Sequence, residues 1–381
     1  MSTNERIFVA AWEYPPIMSG ESVVCARTLK YSRFDYDLCC GPVEAESTAH
    51  IGVYPLSGNK YLVWPLAVAK KFAELHKKRP CSILMSRVMP PNGHLAGWLI
   101  KKRYPEVKWI AYFSDPVWNS PFLKINLHND GSHRPKWLVM KLFGIPCRWA
   151  LKSADVLMFN NERLAHYILG RQIDRLRHKV LIAPYGHEGV KFKEIKTRRE
   201  DGLRLTHVGQ IYGNRTFSEL IEGLSYLKKE DPATYAALEV RQVGFVCDAE
   251  RSRVENSPVA DRFEFIPTVP YEESIEEMYA SDCLLVIDPK FDKPEKNVYI
   301  PGKLFDYLST GRPILCIAEE DSATGESAKK FGCIRTDPNG KAVAKCLMEL
   351  SKNIKNYDSS KYNLAHCKVG VEKLDHMLAA L

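Results

Sequence analysis

The sequence predicts an α/β protein with two parallel-sheet domains of similar size. Three observations carry this. Apolar runs of strand length alternate with helix-length amphipathic stretches along most of the chain, the pattern of a parallel sheet covered on both faces. At 381 residues and 45% hydrophobic content, the chain can bury two cores of ordinary size. A polar, highly charged, glycine-bounded stretch, HEGVKFKEIKTRREDG at 187–202, interrupts the alternation near its middle and reads as a linker.

In the first half, strands are expected at Ile7–Ala11, Tyr36–Cys40, Ser82–Met85, Trp109–Phe113, Val156–Phe159 and Val180–Ala183, with helices such as Gly93–Arg103 and Asn161–Leu169 between them. The second half begins again with strand Leu205–Val208, helix Phe217–Lys228, and strands Glu239–Gly244 and Phe263–Ile266. Helix Tyr271–Tyr279, strand Cys283–Ile287, helix Lys303–Leu308 and strand Ile314–Ile317 follow. The expected domains are therefore 1–186 and 203–355, joined by 187–202. A helical segment at 356–381 could pack back on the first domain. In such sheets ligands bind beyond the carboxyl ends of the strands, so a cleft between the two lobes is the expected site.

Composition narrows the class. Glycine, proline and charged fractions are near average, against collagen, disorder or a coiled coil. The apolar run from Tyr61 to Ala69 contains Pro65 and is too short to span a bilayer. The start, MSTNERIFVAAWEYPP, has no basic n-region and no cleavable apolar segment, so no secretory signal is expected. Eleven cysteines without a CxxC read as small buried thiols in a reducing cytosol, ahead of a metal or redox site. Histidines 94, 128, 133, 166 and 187 show no paired metal spacing, and neither a G-x-S-x-G elbow nor a P-loop is present.

The net charge of +8 hides an asymmetry. Residues 51–199 carry 27 Lys and Arg against 9 Asp and Glu, whereas residues 200–300 carry 11 against 20. The basic half suits anionic lipid or a phosphorylated acceptor, or is simply a solvated surface. No nucleic-acid module is recognisable. The segment KWLVMKLFGIPCRWALK, residues 136–152, interleaves Trp137, Phe143 and Trp149 with cations. It is either a helix resting on an anionic membrane or a core-facing helix with solvated lysines.

Two stretches of the second half carry chemistry. THVGQIYGNRTFSELIEGL reads as strand, glycine loop and helix. Gly209 and Gly213 let backbone approach an anion, and Arg215 can clamp two phosphate oxygens. Such turns also occur in any doubly wound domain. VYIPGKLFDYLSTGRPILCIA, residues 298–318, places Pro301 where a helix can begin, Gly302 with an exposed N–H, Lys303 at the positive end of the dipole and Asp306 a turn deeper. A cation beside exposed N–H groups suits a diphosphate, and the carboxylate suits ribose hydroxyls. Read alone, the stretch is equally a Lys–Asp surface pair.

IPGKLFDYLSTGRPIL resembles the nucleotide-sugar-binding segment of GT-B glycosyltransferases, in particular the retaining glycosyltransferase family 4 of capsule, O-antigen and glycolipid synthesis. YPPIMSG, WIAYFSDPVWNSP, ALKSADVLMFNNERL, VLIAPYGHE, THVGQIYGNRTFSELIEGL and VPYEESIEEMYASDCLLVI resemble further segments of that family in the right order, over about residues 5–350.

The resemblance implies two Rossmann-like domains facing across a cleft, binding the acceptor in the first and a UDP- or GDP-sugar in the second, with no cofactor or metal required. Arg215 and Lys303 would hold the diphosphate and stabilise the leaving group. Gly209, Gln210, Tyr212 and Gly302 would lie around it, Asp306 on the ribose and Val269 near the base. Ser19 and Gly20 would face the donor phosphates, and Asp115 would serve the acceptor hydroxyl, unless it caps the turn before Pro116. The partner implied is a glycan or lipid-linked acceptor, and the basic first domain adds the expectation of a peripheral contact with anionic membrane at its inner, cytoplasmic face.

The chain departs from the family pattern at three points. Val298 stands where a sugar-contacting glutamate is usual, Ser19-Gly20 replaces a glycine pair, and Gln210 replaces an arginine. A nucleotide-sugar 2-epimerase of the same architecture, or a catalytically silent binding subunit, are the other readings.

Overall fold

The computed structural model of the chain describes residues 6–17, 19–59, 61–116, 120, 136–191, 202–291 and 297–381; of 136–140 it describes the backbone. The described chain divides into two compact units, Met1–Gly186 with Cys367–Leu381, and His187–His366.

Unit 1 holds β1 (Arg6–Ala10), β2 (Asp35–Cys40), β3 (Ile51–Pro55), β4 (Ile83–Val88), β5 (Lys108–Phe113), β6 (Val156–Phe159) and β7 (Val180–Ile182). They form one sheet in the order β3-β2-β1-β4-β5-β6-β7, and every pairing is parallel. Its central strands are near-continuous apolar runs because helices cover both faces. Leu374 and Leu378 of the helix Lys368–Ala380 enter the same core as Val9, Leu38, Met85 and Ile110. Asp375 of that helix accepts from the Ser32 hydroxyl (2.6 Å) and the Arg33 N–H (3.0 Å), which ties the returning segment to the end of helix Gly20–Tyr31.

Unit 2 holds β8 (Leu203–Val208), β9 (Leu238–Val243), β10 (Phe263–Ile266), β11 (Cys283–Ile287), β12 (Ile314–Ile317) and β13 (Ile334–Thr336), again parallel, in the order β10-β9-β8-β11-β12-β13. The strand order reverses direction at β8/β11, so loops from those two strands diverge at their carboxyl ends. The helix Ser218–Glu230 packs on Gly340–Asn353, with Leu220, Leu224 and Leu227 meeting Val343 and Leu347 in the core. Gly311 ends the helix Lys303–Thr310 in the left-handed conformation, which frees the chain to enter β12.

The structure adds two edge strands that the pattern did not announce, β3 and β13. It also places Pro301 before Gly302, the N-cap of helix Lys303–Thr310, rather than at a first helical position. Most of the stretch read as a linker, 192–201, falls outside the described residues, as does the Trp137 side chain.

Candidate functional site

The residues that can bind an anion converge at the carboxyl ends of the strands of unit 2. β8 ends at Val208, and the chain turns at Gly209 with φ +126°, a conformation side chains resist. Gly209 also accepts the close approach of Lys303, whose Nζ would lie 2.8 Å from a Cβ there. Gly244, after β9, is packed equally tightly, since its Cβ would fall 2.7 Å from the Gly209 carbonyl oxygen.

Arg215 reaches back over this turn. Its Nε donates to the Ile287 carbonyl at the end of β11 (2.9 Å), and one terminal nitrogen points to the Gln210 carbonyl (3.4 Å). The backbone N–H of Arg215 donates to the Tyr212 carbonyl, closing the loop. Lys303 opens its helix from the other side, and its Nζ lies 2.6 Å from His207 Nε2. Among the described residues no carboxylate lies within ion-pair distance of either cation. Burial first, and then Arg215, holds the Lys303 pKa well below its ordinary value; burial likewise lowers Arg215. A further carboxyl, Asp288, lies beyond β11 and accepts from Asn297 (2.6 Å) and Thr324 (2.6 Å). Burial pushes its pKa up to about 6.

Among the described residues neither cation makes an ion pair and only Asp288 offsets part of the Arg215 charge, so the two together leave a site whose missing charge is negative. Gly209, Gln210, Tyr212, Arg215, Gly302 and Lys303 are thus brought together. At Gly302 a Cβ would meet nothing within 4 Å among the described residues beyond its chain neighbours, so their packing does not require glycine there. Asp306 sits half-buried a turn along the same helix, and Val269 lies half-buried on the loop between β10 and helix Tyr271–Tyr279. Val298 is buried, next to Asn297.

In unit 1, Ser19, Gly20 and Asp115 also stand beyond strand ends, after β1 and β5. Ser19 caps helix Gly20–Tyr31 by accepting from the Ser22 N–H (3.1 Å), and its hydroxyl donates to Glu13. Burial chiefly, with Glu13 added, raises the Asp115 pKa, which makes it a better base. Beside them lies a pair the motifs did not name: Arg87 Nε donates to Glu21 at 2.6 Å, both side chains almost wholly buried. The Arg87 guanidinium also lies over the Tyr112 ring at 4.1 Å. Burial takes the Glu21 pKa up to about 7 against the opposing pull of Arg87.

His207 and Gln242 were likewise not named beforehand. The available signal was a polar residue inside a buried parallel strand, two positions before a glycine, in both THVG and RQVG.

No protein-family model matches the sequence, and no curated protein matches it. Solved structures match along its length. HepE from Anabaena, in complex with UDP, covers 99% of this chain and 100% of its own at 11% identity, with a TM-score of 0.67. The lipopolysaccharide outer core galactosyltransferase WaaB covers 98% and 99% at 11% identity, TM-score 0.62. An E. coli trehalose-6-phosphate structure bound with UDP-2-fluoro glucose covers 99% and 98% at 12% identity, TM-score 0.59. At these identities the likeness is one of fold, the two-domain α/β fold of GT-B glycosyltransferases.

Proposed function

We propose that the chain is a glycosyltransferase that moves a hexose from a nucleoside diphosphate sugar to an acceptor hydroxyl. The observation that carries this is the convergence of Lys303 and Arg215 at the Gly209 turn, neither of them in an ion pair among the described residues. A diphosphate supplies the missing charge, and it gains negative charge as the sugar leaves. The two cations therefore act most strongly where charge develops, the requirement for catalysis rather than mere binding.

Lys303 and Arg215 supply that positive charge themselves, which favours a metal-independent reaction. Asp306 is assigned to the ribose hydroxyls, Val269 to the surroundings of the base, and Gly302, Gln210 and Tyr212 to the phosphates. Asp115, with Ser19 and Gly20, is assigned to unit 1's part in the reaction, Asp115 acting on the acceptor hydroxyl. Retention of configuration, a UDP or GDP donor, membership of family 4 and a role in cell-surface polysaccharide or glycoconjugate synthesis follow from the sequence resemblance.

The acceptor is proposed to be a glycan or lipid-linked, met at the inner face of the membrane. Tyr61, Leu62, Val63, Leu66 and Leu142 form an exposed apolar group on unit 1, and the Tyr61 and Phe143 rings stack at 5.3 Å. Lys70 of helix Val63–Lys78, and Lys141 and Arg148 of helix Lys136–Ser153, are exposed. Among the described residues no helix is long and apolar enough to cross a membrane. All eleven cysteines are free thiols, in keeping with a cytoplasmic location.

The test is incubation with UDP-, GDP-, dTDP- and ADP-sugars, scored for nucleoside diphosphate release with and without lipid acceptors. Release that needs acceptor supports the transferase. Sugar interconversion without acceptor supports the epimerase instead, and donor binding without any turnover supports a silent subunit. For the membrane, flotation with anionic liposomes at low salt and release at high salt are expected; no binding at low salt rejects that part.

A further inference from the structure

The cation that faces the donor is itself held by a buried chain of hydrogen bonds. His207 on β8 and Gln242 on β9 are register partners in the parallel ladder, and both are wholly buried. His207 Nδ1 meets Gln242 Oε1 at 2.6 Å, Gln242 Nε2 donates to the Gly209 carbonyl at 2.7 Å, and His207 Nε2 meets Lys303 Nζ at 2.6 Å.

With Lys303 charged, as a diphosphate ligand requires, these contacts admit one assignment of hydrogens. An amide group facing a carbonyl must present its nitrogen, so its oxygen faces the imidazole and accepts. Nδ1 then carries the ring hydrogen, and Nε2 keeps a lone pair for the ammonium, which can only donate. The imidazole is neutral, since an imidazolium would set an N–H against the ammonium. Burial, with the charges of Lys303 and Arg215, holds its pKa well below the ordinary histidine value.

A carboxylate in place of His207 would hold a lysine more strongly, but it would also cancel the charge a phosphate must find. A neutral imidazole fixes the ammonium and leaves its charge whole. It takes one of three N–H donors and leaves two. Gly209 bounds the ammonium on another side and is itself held by Gln242 through its carbonyl.

We infer that His207 and Gln242 are positioning residues for the donor's diphosphate, acting as a neutral strut that sets the Lys303 ammonium over Gly209. The inference rests on the reading of Lys303 as a diphosphate ligand, and the experiment separates the two.

UDP, GDP, dTDP and ADP are titrated by calorimetry into wild type, and the tightest binder is carried through the variants, with its nucleoside as control. Lys303→Met tests the site: unchanged diphosphate affinity there, or no binding to wild type, rejects the diphosphate reading and this inference with it. Given loss in Lys303→Met, His207→Phe is expected to weaken the nucleoside diphosphate about ten- to hundredfold while leaving the nucleoside unchanged. His207→Gln, which returns an acceptor to the Nε2 position, is expected to recover most of that loss. A folded His207→Phe that binds the diphosphate as wild type does overturns the strut and leaves the site reading standing. If His207→Phe does not fold, Gln242→Met decides. Weakened diphosphate binding with unchanged nucleoside binding supports the strut, and unchanged diphosphate binding overturns it.

Discussion

A methyl group on Gly209 would come within 2.8 Å of the Lys303 ammonium nitrogen and 3.2 Å of its Cε. The backbone at Gly209, at φ +126°, would be strained by that methyl even without the lysine. Gly209→Ala is therefore expected to lower stability by about 1–3 kcal/mol and to weaken nucleoside diphosphate binding more than about tenfold. Thermal melts and calorimetry on one preparation read both. A melting loss with unchanged affinity would mean that the lysine swings aside without cost.

Lys303 links donor binding to pH. Its folded pKa lies well below its value in the unfolded chain, because of burial and Arg215. Between those two values the unfolded chain binds the extra proton, so stability rises with pH across that window. The penalty for burying the charge shrinks as pH rises through that window. The melting temperature of Lys303→Met relative to wild type should therefore fall as pH rises from neutrality toward the ordinary lysine range. A difference that stays flat from pH 7 to 10 would contradict the depressed pKa. Saturating nucleotide, at about a hundred times its dissociation constant, should add about 2.7 kcal/mol to wild type and nothing to the variant.

The Arg87–Glu21 pair is expected to behave as a buried ion pair that tolerates joint removal better than single removal. Glu21→Ala leaves a guanidinium that is 1% exposed with its partner gone, a loss of about 3–5 kcal/mol. Joint replacement by Glu21→Leu and Arg87→Met should cost far less. Urea unfolding of the four proteins gives the coupling, and additive losses would show that the two charges do not depend on each other.

Much of this architecture is legible in the order of residues. β6, β11 and β12 fall where the pattern of apolar runs puts them, because a strand buried on both faces must be apolar throughout, and β10 and helix Tyr271–Tyr279 also fall where they are expected. β3 and β13 escape because their local pattern is weak. Both are edge strands, one carrying Gly52 and ending in Pro55, the other only three residues long. At the site, Gly209, Arg215 and Lys303 are visible because loop glycines and a helix-opening cation are local features. His207 and Gln242 act only as a cross-strand pair, and Arg87 meets Glu21 across 66 positions of chain. Register and long-range pairing are properties of the folded sheet, and no local spacing encodes them.

Asp375 should be the most sensitive polar residue of the returning helix. Asp375→Asn keeps the shape but removes the charge that accepts from Ser32 and Arg33, a loss of about 1–3 kcal/mol. Limited proteolysis should then release the segment from Cys367 onward ahead of cuts elsewhere in unit 1. Proteolysis at the wild-type rate would show that Leu374 and Leu378 hold the helix unaided.

That returning helix also sets an order of events during synthesis. His187–His366 forms one unbroken stretch, so unit 2 has all of its strands once residue 366 has left the ribosome. Unit 1, begun first, still lacks Leu374, Asp375 and Leu378 at that moment, and its core remains open at the place they fill. The half of the protein made first is therefore the half completed last, and a nascent chain stalled before residue 367 would present a finished unit 2 beside an unfinished unit 1.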